Sequence, residues 1–185
     1  MAKLVLNPGL RGIHGAIGGF VYRSVRGHDI VGARPERIDH PSAAQLEVRA
    51  RMKEAAAYAK AVAHDEARRG VYVAAAKTRA IPLVAIMVSD FLKPPVVDAI
   101  DLAGYHGAVG DPIKVAATDY VAVQSVNVEV RAPNGTVLEQ GAATPDGGQW
   151  VYQGTMARTP GQVVTITATA TDLPGHTGEK TETWS

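Results

Sequence analysis

After Pro94-Pro95 the hydrophobic pattern of the chain changes from a helical period to strict alternation, and this change constrains the fold more than any other feature. Val126, Val128 and Val130 point one way in one run, and Val164, Ile166, Ala168 and Ala170 do so in another. Alternation puts successive side chains on opposite faces of a strand, so each run offers one apolar face to a core. Seven candidate strands occupy 97–102, 112–117, 123–132, 136–142, 149–155, 163–171 and 179–184. Turn signals separate them, among them Pro133-Asn134-Gly135, Pro145-Asp146-Gly147-Gly148 and Pro174-Gly175. Seven short strands with regular turns predict an all-β sandwich of immunoglobulin-like type over 96–185. A small antiparallel barrel is the alternative.

Residues 1–95 read as an α+β region, a β-hairpin followed by about three helices. The hairpin runs from Gly18 to Pro35, with β-formers on both sides of an Arg26-Gly27 turn. Gly12, Gly15, Gly18 and Gly19 predict a flexible or closely packed lead-in. Ser42 and Gln45 have capping-box spacing, which starts a helix running to about His64, with Leu46, Met52, Ala56 and Ala63 inward. Asp65 caps a second helix to about Thr78, with Val71, Tyr72 and Ala75 inward. Pro82 suits the first turn of a third helix, apolar nearly all round, that ends before Pro94.

Charge divides at the same place. Residues 1–95 carry 15 Lys plus Arg against 8 Asp plus Glu, and residues 96–185 carry 4 against 10. Opposite signs on the two parts favour head-to-tail contact between copies, or contact between the two parts of one chain. The chain has no cysteine, which removes disulfides, thiolate metal sites and cysteine nucleophiles. The N-terminal apolar run is broken by Asn7, Pro8, Arg11 and His14, and the apolar stretch 81–88 is far short of a bilayer span of ~20 residues. The expectation is cytoplasmic synthesis without a Sec signal or membrane span, followed by non-Sec export or incorporation into a particle.

Two resemblances emerge from these residues. The segment from Val126 through Asn134-Gly135, Trp150 and Tyr152 to Asp172-Leu173-Pro174-Gly175 resembles the bacterial Ig-like modules of surface and phage structural proteins. Nearly the whole chain also resembles a widespread group of uncharacterised bacterial proteins. It does so through Gly15-Ala16-Ile17-Gly18-Gly19-Phe20-Val21-Tyr22-Arg23, Ala33-Arg34-Pro35, Ala43-Ala44-Gln45 and Asp90-Phe91-Leu92-Lys93-Pro94-Pro95. The resemblance implies an architecture and no catalytic residue.

Catalytic patterns are weak. The six histidines, at 14, 28, 40, 64, 106 and 176, include no helical i, i+4 pair and no zinc spacing. Ser24, His28 and Asp29 are the residue types of a triad, but no nucleophile elbow accompanies them. Asp98, Asp101, Asp119, Asp146 and Asp172 near sandwich turns offer carboxylates for calcium without the density of a calcium loop. The glycines at 9, 12, 15, 18 and 19 lack the Gly-Lys-Ser/Thr of a phosphate loop. Neither a cofactor nor a metal site is expected.

Lys3, Lys53 and the arginines at 11, 23, 26, 34, 37, 49 and 51, with Phe20 and Tyr22 for stacking, suit nucleic acid, but acidic residues among them favour solvated faces or subunit contacts. The expected function is therefore a non-enzymatic, self-assembling structural protein of the surface or phage-particle kind. It would be the subunit of a homo-oligomer or filament carrying the Ig-like domain as spacer or display module. The expected contact comprises Ile17, Phe20, Val21, Tyr22, Arg23, Val25, Arg26, Ile30, Val31 and Arg34. The alternative is an adhesion or binding module whose basic N-terminal part contacts nucleic acid or a larger particle.

Overall fold

Three α-helices and three antiparallel four-stranded sheets among the described residues make this a mixed α+β protein. The computed structural model describes residues 2–3, 13–25, 27–36, 40–159 and 161–185. They cluster into two compact units, Met1–Leu46 and Glu47–Ser185.

The first unit holds a sheet of β1 (Ala2–Lys3), β2 (Gly15–Ile17), β3 (Phe20–Val25) and β4 (His28–Ala33), in the order β1-β4-β3-β2. The pair β3–β4 closes on Val25 opposite His28, across the expected Arg26-Gly27 turn. Arg26 itself lies outside the described residues. The glycine-rich lead-in is partly a strand: Ile17 pairs with Phe20 across Gly18-Gly19, and Gly18 has φ 58°, a left-handed conformation in which glycine carries no Cβ penalty.

Helix α1 (Ala43–Ala63) starts at the capping box read from the sequence. The Gln45 amide donates to Ser42 Oγ at 3.3 Å, and the Ser42 amide donates to Gln45 Oε1 at 3.0 Å. Its buried line is Ala55, Ala59 and Val62; Leu46 and Met52, expected inward, are 53% and 45% exposed. The line is chosen by what packs on it, and in the cluster that holds Ala59 and Val62 the large side chains are Tyr72, Ile86 and Met87. Helix α2 (Glu66–Arg79) is capped by Asp65 Oδ1, which accepts from the amides of Ala67 and Arg68. Tyr72 is its one fully buried side chain, while Val71, expected inward, is 41% exposed. Helix α3 (Leu83–Phe91) buries Ile86 and Met87 but leaves Val84 at 59% exposure, so its apolar surface is only partly used.

Eight strands follow: β5 (Val96–Asp101), β6 (Pro112–Thr118), β7 (Val123–Arg131), β8 (Val137–Ala142), β9 (Thr144–Asp146), β10 (Gln149–Gln153), β11 (Val164–Asp172) and β12 (Thr177–Trp184). They form two sheets, β5-β6-β10-β9 and β12-β11-β7-β8. Both sheets supply one core, with Ile113 and Val115 from the first and Val126, Val128, Val130, Val164, Ile166, Ala168 and Ala170 from the second all at 0% exposure. The chain changes sheets between β8 and β9 at Ala143, just past the strand read at 136–142, and the short β9 is not among the strands read from the sequence.

Geometry requires glycine at two places in this unit. Gly147 and Gly148 have φ 54° and 89° in the two-residue loop between Asp146 and Gln149, the positive-φ pair of a type I′ hairpin. At Gly178 a Cβ would lie 1.9 Å from the carbonyl oxygen of Pro95, so only glycine lets β12 approach the start of β5.

The period change after Pro95 separates helices from strands inside the second unit. Val121 and Leu173, both from the strand region, pack against the helical core, and the ring of Phe91 meets His176 edge-on at 4.7 Å. Shared packing of this kind places α1 to α3 with the strands. Among the described residues, no single helix is long and apolar enough to cross a membrane.

Candidate functional site

The N-terminal sheet gathers the residues expected to make the assembly contact, and its register sorts them by face. Partners directly opposite in an antiparallel ladder share a face, and the face alternates along each strand. Ile17, Phe20, Tyr22 and Val31 therefore fall on one side, and Val21, Arg23, Val25 and Ile30 on the other. Arg34 follows β4, and its amide donates to the Gly19 carbonyl at 2.7 Å. Ile17 and Phe20 are each 54% exposed and Val25 is 42% exposed. No described residue of this unit with a recorded exposure is buried on either face. A depression of about 330 Å³ is lined by Val21, Arg23, Gly32, Ala33 and Pro35.

The same register separates the triad residue types. Ser24 is paired with Asp29, whereas His28 is paired with Val25, so the imidazole leaves the sheet on the face opposite to Ser24 and Asp29. The aspartates at turns serve the backbone. Asp101 accepts from the Ala103 amide, Asp119 from the amides of Val121 and Ala122, and Asp172 from those of Gly175 and His176. Among the described residues no group of three His, Asp or Glu is placed to hold a metal ion. Of the basic residues, Arg11, Arg26 and Arg37 lie outside the described residues, and Arg51 donates to the Leu92 carbonyl at 3.4 Å.

Sequence reasoning missed two buried polar groups in the second unit. In the first, the Tyr72 hydroxyl donates to Asp90 Oδ2 at 2.5 Å and lies 2.9 Å from the Tyr58 hydroxyl. Asp90 is wholly buried. Burial raises its pKa to about 7, with the Tyr72 bond working the other way and the Asp119 and Asp172 carboxylates adding to the rise. Asp90 Oδ1 and Asp119 Oδ1 are both buried without a hydrogen-bond partner among the described residues. Asp172, also fully buried, is raised chiefly by burial. With Asp90 and Asp172 sealed from solvent, the group is suited to packing the helices against the strand ends.

In the second group, Glu139 and Arg158 form an ion pair at 3.0 Å with side chains 2% and 4% exposed. Burial opposes the Glu139 charge, but the Thr155 hydroxyl and amide, each donating to Oε2 at 2.6 Å, and Arg158 outweigh it and hold the carboxyl below its usual range. A glutamate in an alternating strand looks solvent-facing in sequence. The β-bulge between Val130 and Arg131, which shifts the β7–β8 register, could not be foreseen from it.

No family model and no curated protein matches the chain. Among solved structures, the crystal structure of an engineered protein is similar at 33% sequence identity with a TM-score of 0.34. That similarity covers 48% of this chain, and the chain spans only 19% of the length of that structure.

Proposed function

We propose that this protein is a non-enzymatic assembly subunit: the N-terminal sheet carries self-association, and the C-terminal strands form an immunoglobulin-like sandwich that serves as spacer or display module. One observation carries the reading. The four-stranded N-terminal sheet exposes Ile17, Phe20 and Val25 and buries none of its described side chains of recorded exposure within its own chain. A small sheet needs a covered apolar face to be stable in water, and a second copy supplies one. The charge balance supports a copy of this chain as that partner, since the basic residues of 1–95 complement the acidic residues of 96–185.

Strand order supports the immunoglobulin-like part of the reading. Taking β5 to β12 as A, B, C, C′, D, E, F and G, the two sheets read A-B-E-D and G-F-C-C′, the arrangement of that fold with one additional C′ strand. The absence of cysteine means that hydrophobic packing, in place of an inter-sheet disulfide, holds the sheets together.

Multi-angle light scattering and electron microscopy of the full chain test the proposal. Oligomers or filaments that dissociate at high salt are the expected result. A monomer at all salt and protein concentrations overturns it.

A further inference from the structure

A chain of hydrogen bonds enters the helical core from two sides and lacks one proton where the sides meet. The Tyr72 hydroxyl has a single proton and gives it to Asp90 Oδ2, so the Tyr58 hydroxyl, 2.9 Å away, is the donor to Tyr72. This side runs from α1 through α2 to α3. On the other side, Asp119 Oδ2 accepts from the Val121 and Ala122 amides at 3.1 Å each. Each side then ends on an acceptor, for Asp90 Oδ1 and Asp119 Oδ1 are buried and without a partner among the described residues. A buried oxygen left unpaired forfeits its hydration for nothing, and a charged one forfeits more.

The two carboxyls meet where the turn before β7 packs on the helices. Asp119 acts on Asp90 through a side-chain hydrogen bond as well as through its charge. Val121 packs against the cluster of Tyr72, Ile86 and Met87. The centroid of the Tyr120 ring is 4.0 Å from Nζ of Lys93, whose amide donates to the Asp90 carbonyl at 3.1 Å. Two carboxylates cannot hydrogen-bond each other, but a carboxylic acid donates to a carboxylate. Two amides already donate to Asp119, which suits it to the charged role and leaves the proton to Asp90.

We propose that Asp90 carries a proton on Oδ1 and donates it to Asp119 Oδ1, so that one titratable hydrogen bond joins α3 to the turn before β7. When that proton passes to solvent, two carboxylates face each other in a buried site and the turn opens from the helices. Burial, opposed by the Tyr72 bond and reinforced by Asp119 and Asp172, raises the Asp90 pKa to about 7 and so places the release near neutrality. Tyr58 and Tyr72 are pushed up by burial and keep their protons through this range. Asp172, raised chiefly by burial, has His176 Nδ1 3.3 Å from its Oδ2. The cations on the surrounding elements are Arg68, whose charge reaches Tyr58, and Arg79 and Lys93 on the Tyr120 ring.

The test uses the full chain labelled with carbon-13 at its aspartate carboxyls, the Asp90→Asn and Asp119→Asn variants assigning the two signals by NMR. The Asp90 signal is expected to titrate near neutrality, and the Asp119 signal to move with it at the same midpoint. In Asp119→Asn the new amide can donate to the Asp90 anion, so the Asp90 midpoint is expected to fall by about one pH unit or more. Asp172→Asn is the comparison: Asp172 acts on Asp90 through charge, and its substitution is expected to lower the midpoint clearly less. Exchange of the Val121 and Ala122 amides, taken relative to that of Val128 in the core of β7, is expected to rise about tenfold through the midpoint. An Asp90 already charged at about pH 5, as a water donating to both oxygens would allow, overturns the proposal. So does an Asp119 signal that stays still while Asp90 titrates, or an equal effect of the two substitutions. An exchange ratio that is flat through the midpoint overturns the opening and leaves the hydrogen bond standing. If Asp119→Asn does not fold, the joint or separate movement of the two signals in the unsubstituted chain decides.

Discussion

The Tyr72 hydroxyl donates to Oδ2 of Asp90 at 2.5 Å in the centre of the helical core, tying α2 to α3. The bond orients a carboxyl that is wholly buried. Its neighbours Asp119 and Asp172 come from the strand region, and their like charges add to the rise in the Asp90 pKa.

Asp90 makes stability depend on pH in a stated direction. Its folded pKa of about 7 lies above the unfolded value of about 3.8, so the folded state holds the proton more tightly. The resulting stabilisation is complete below about pH 4 and is lost as pH rises through 7. Thermal unfolding between pH 5 and 8 is expected to show Tm falling with pH, and Asp90→Asn, which can still accept from Tyr72, is expected to flatten the fall. An equal slope in both proteins contradicts the assignment.

Glu139 behaves in the opposite sense, since its carboxyl is held low: its contribution is present above the usual carboxylate range and lost as pH falls through the lowered value. Replacing it by Ala leaves Arg158 charged, buried and unpaired. Urea unfolding is expected to show a loss of about 3–5 kcal/mol, the typical cost of breaking a buried pair. The double variant Glu139→Leu with Arg158→Met is expected to recover most of it.

Ala80 ends α2 with φ 51° and is the only non-glycine residue with positive φ among the described residues. Ala80→Gly relieves a left-handed strain of about 1 kcal/mol and gives part of it back as unfolded-chain entropy, so a small gain in Tm is expected. Gly178→Ala is expected to act the other way and more strongly, by several degrees or by loss of soluble protein, because its methyl group would collide with the Pro95 carbonyl.

Self-association is expected to respond to the exposed face of the N-terminal sheet. Ile17→Ser combined with Phe20→Ser should weaken assembly about tenfold or more in sedimentation velocity while leaving the Tm of the second unit unchanged, since neither residue is buried in its own chain. Assembly unchanged by both substitutions places the contact elsewhere.

Local periodicity made much of this protein legible in its sequence. The alternating runs at Val126–Val130 and Val164–Ala170, the Ser42–Gln45 box and the Asp65 cap each express a rule acting over a few residues, and each appears in the structure as read. The four-stranded N-terminal sheet was legible only as its central hairpin, because β1 and β2 are two and three residues long and too short to show a period.

Tertiary structure decided the rest, because the deciding contacts are far apart in the chain. Which line of α1 is buried depends on Tyr72, Ile86 and Met87, so Leu46 and Met52 look inward in sequence and are exposed in the fold. The coupling of Asp90 to Asp119 and Asp172, and of Glu139 to Arg158, arises where residues far apart in the chain meet. Which face each hairpin residue occupies was set by register, which separates His28 from Ser24 and Asp29 although all three lie close in sequence. Side-chain alternation along a strand is local, but burial is a property of the whole assembly of elements, and only the folded chain assigns it.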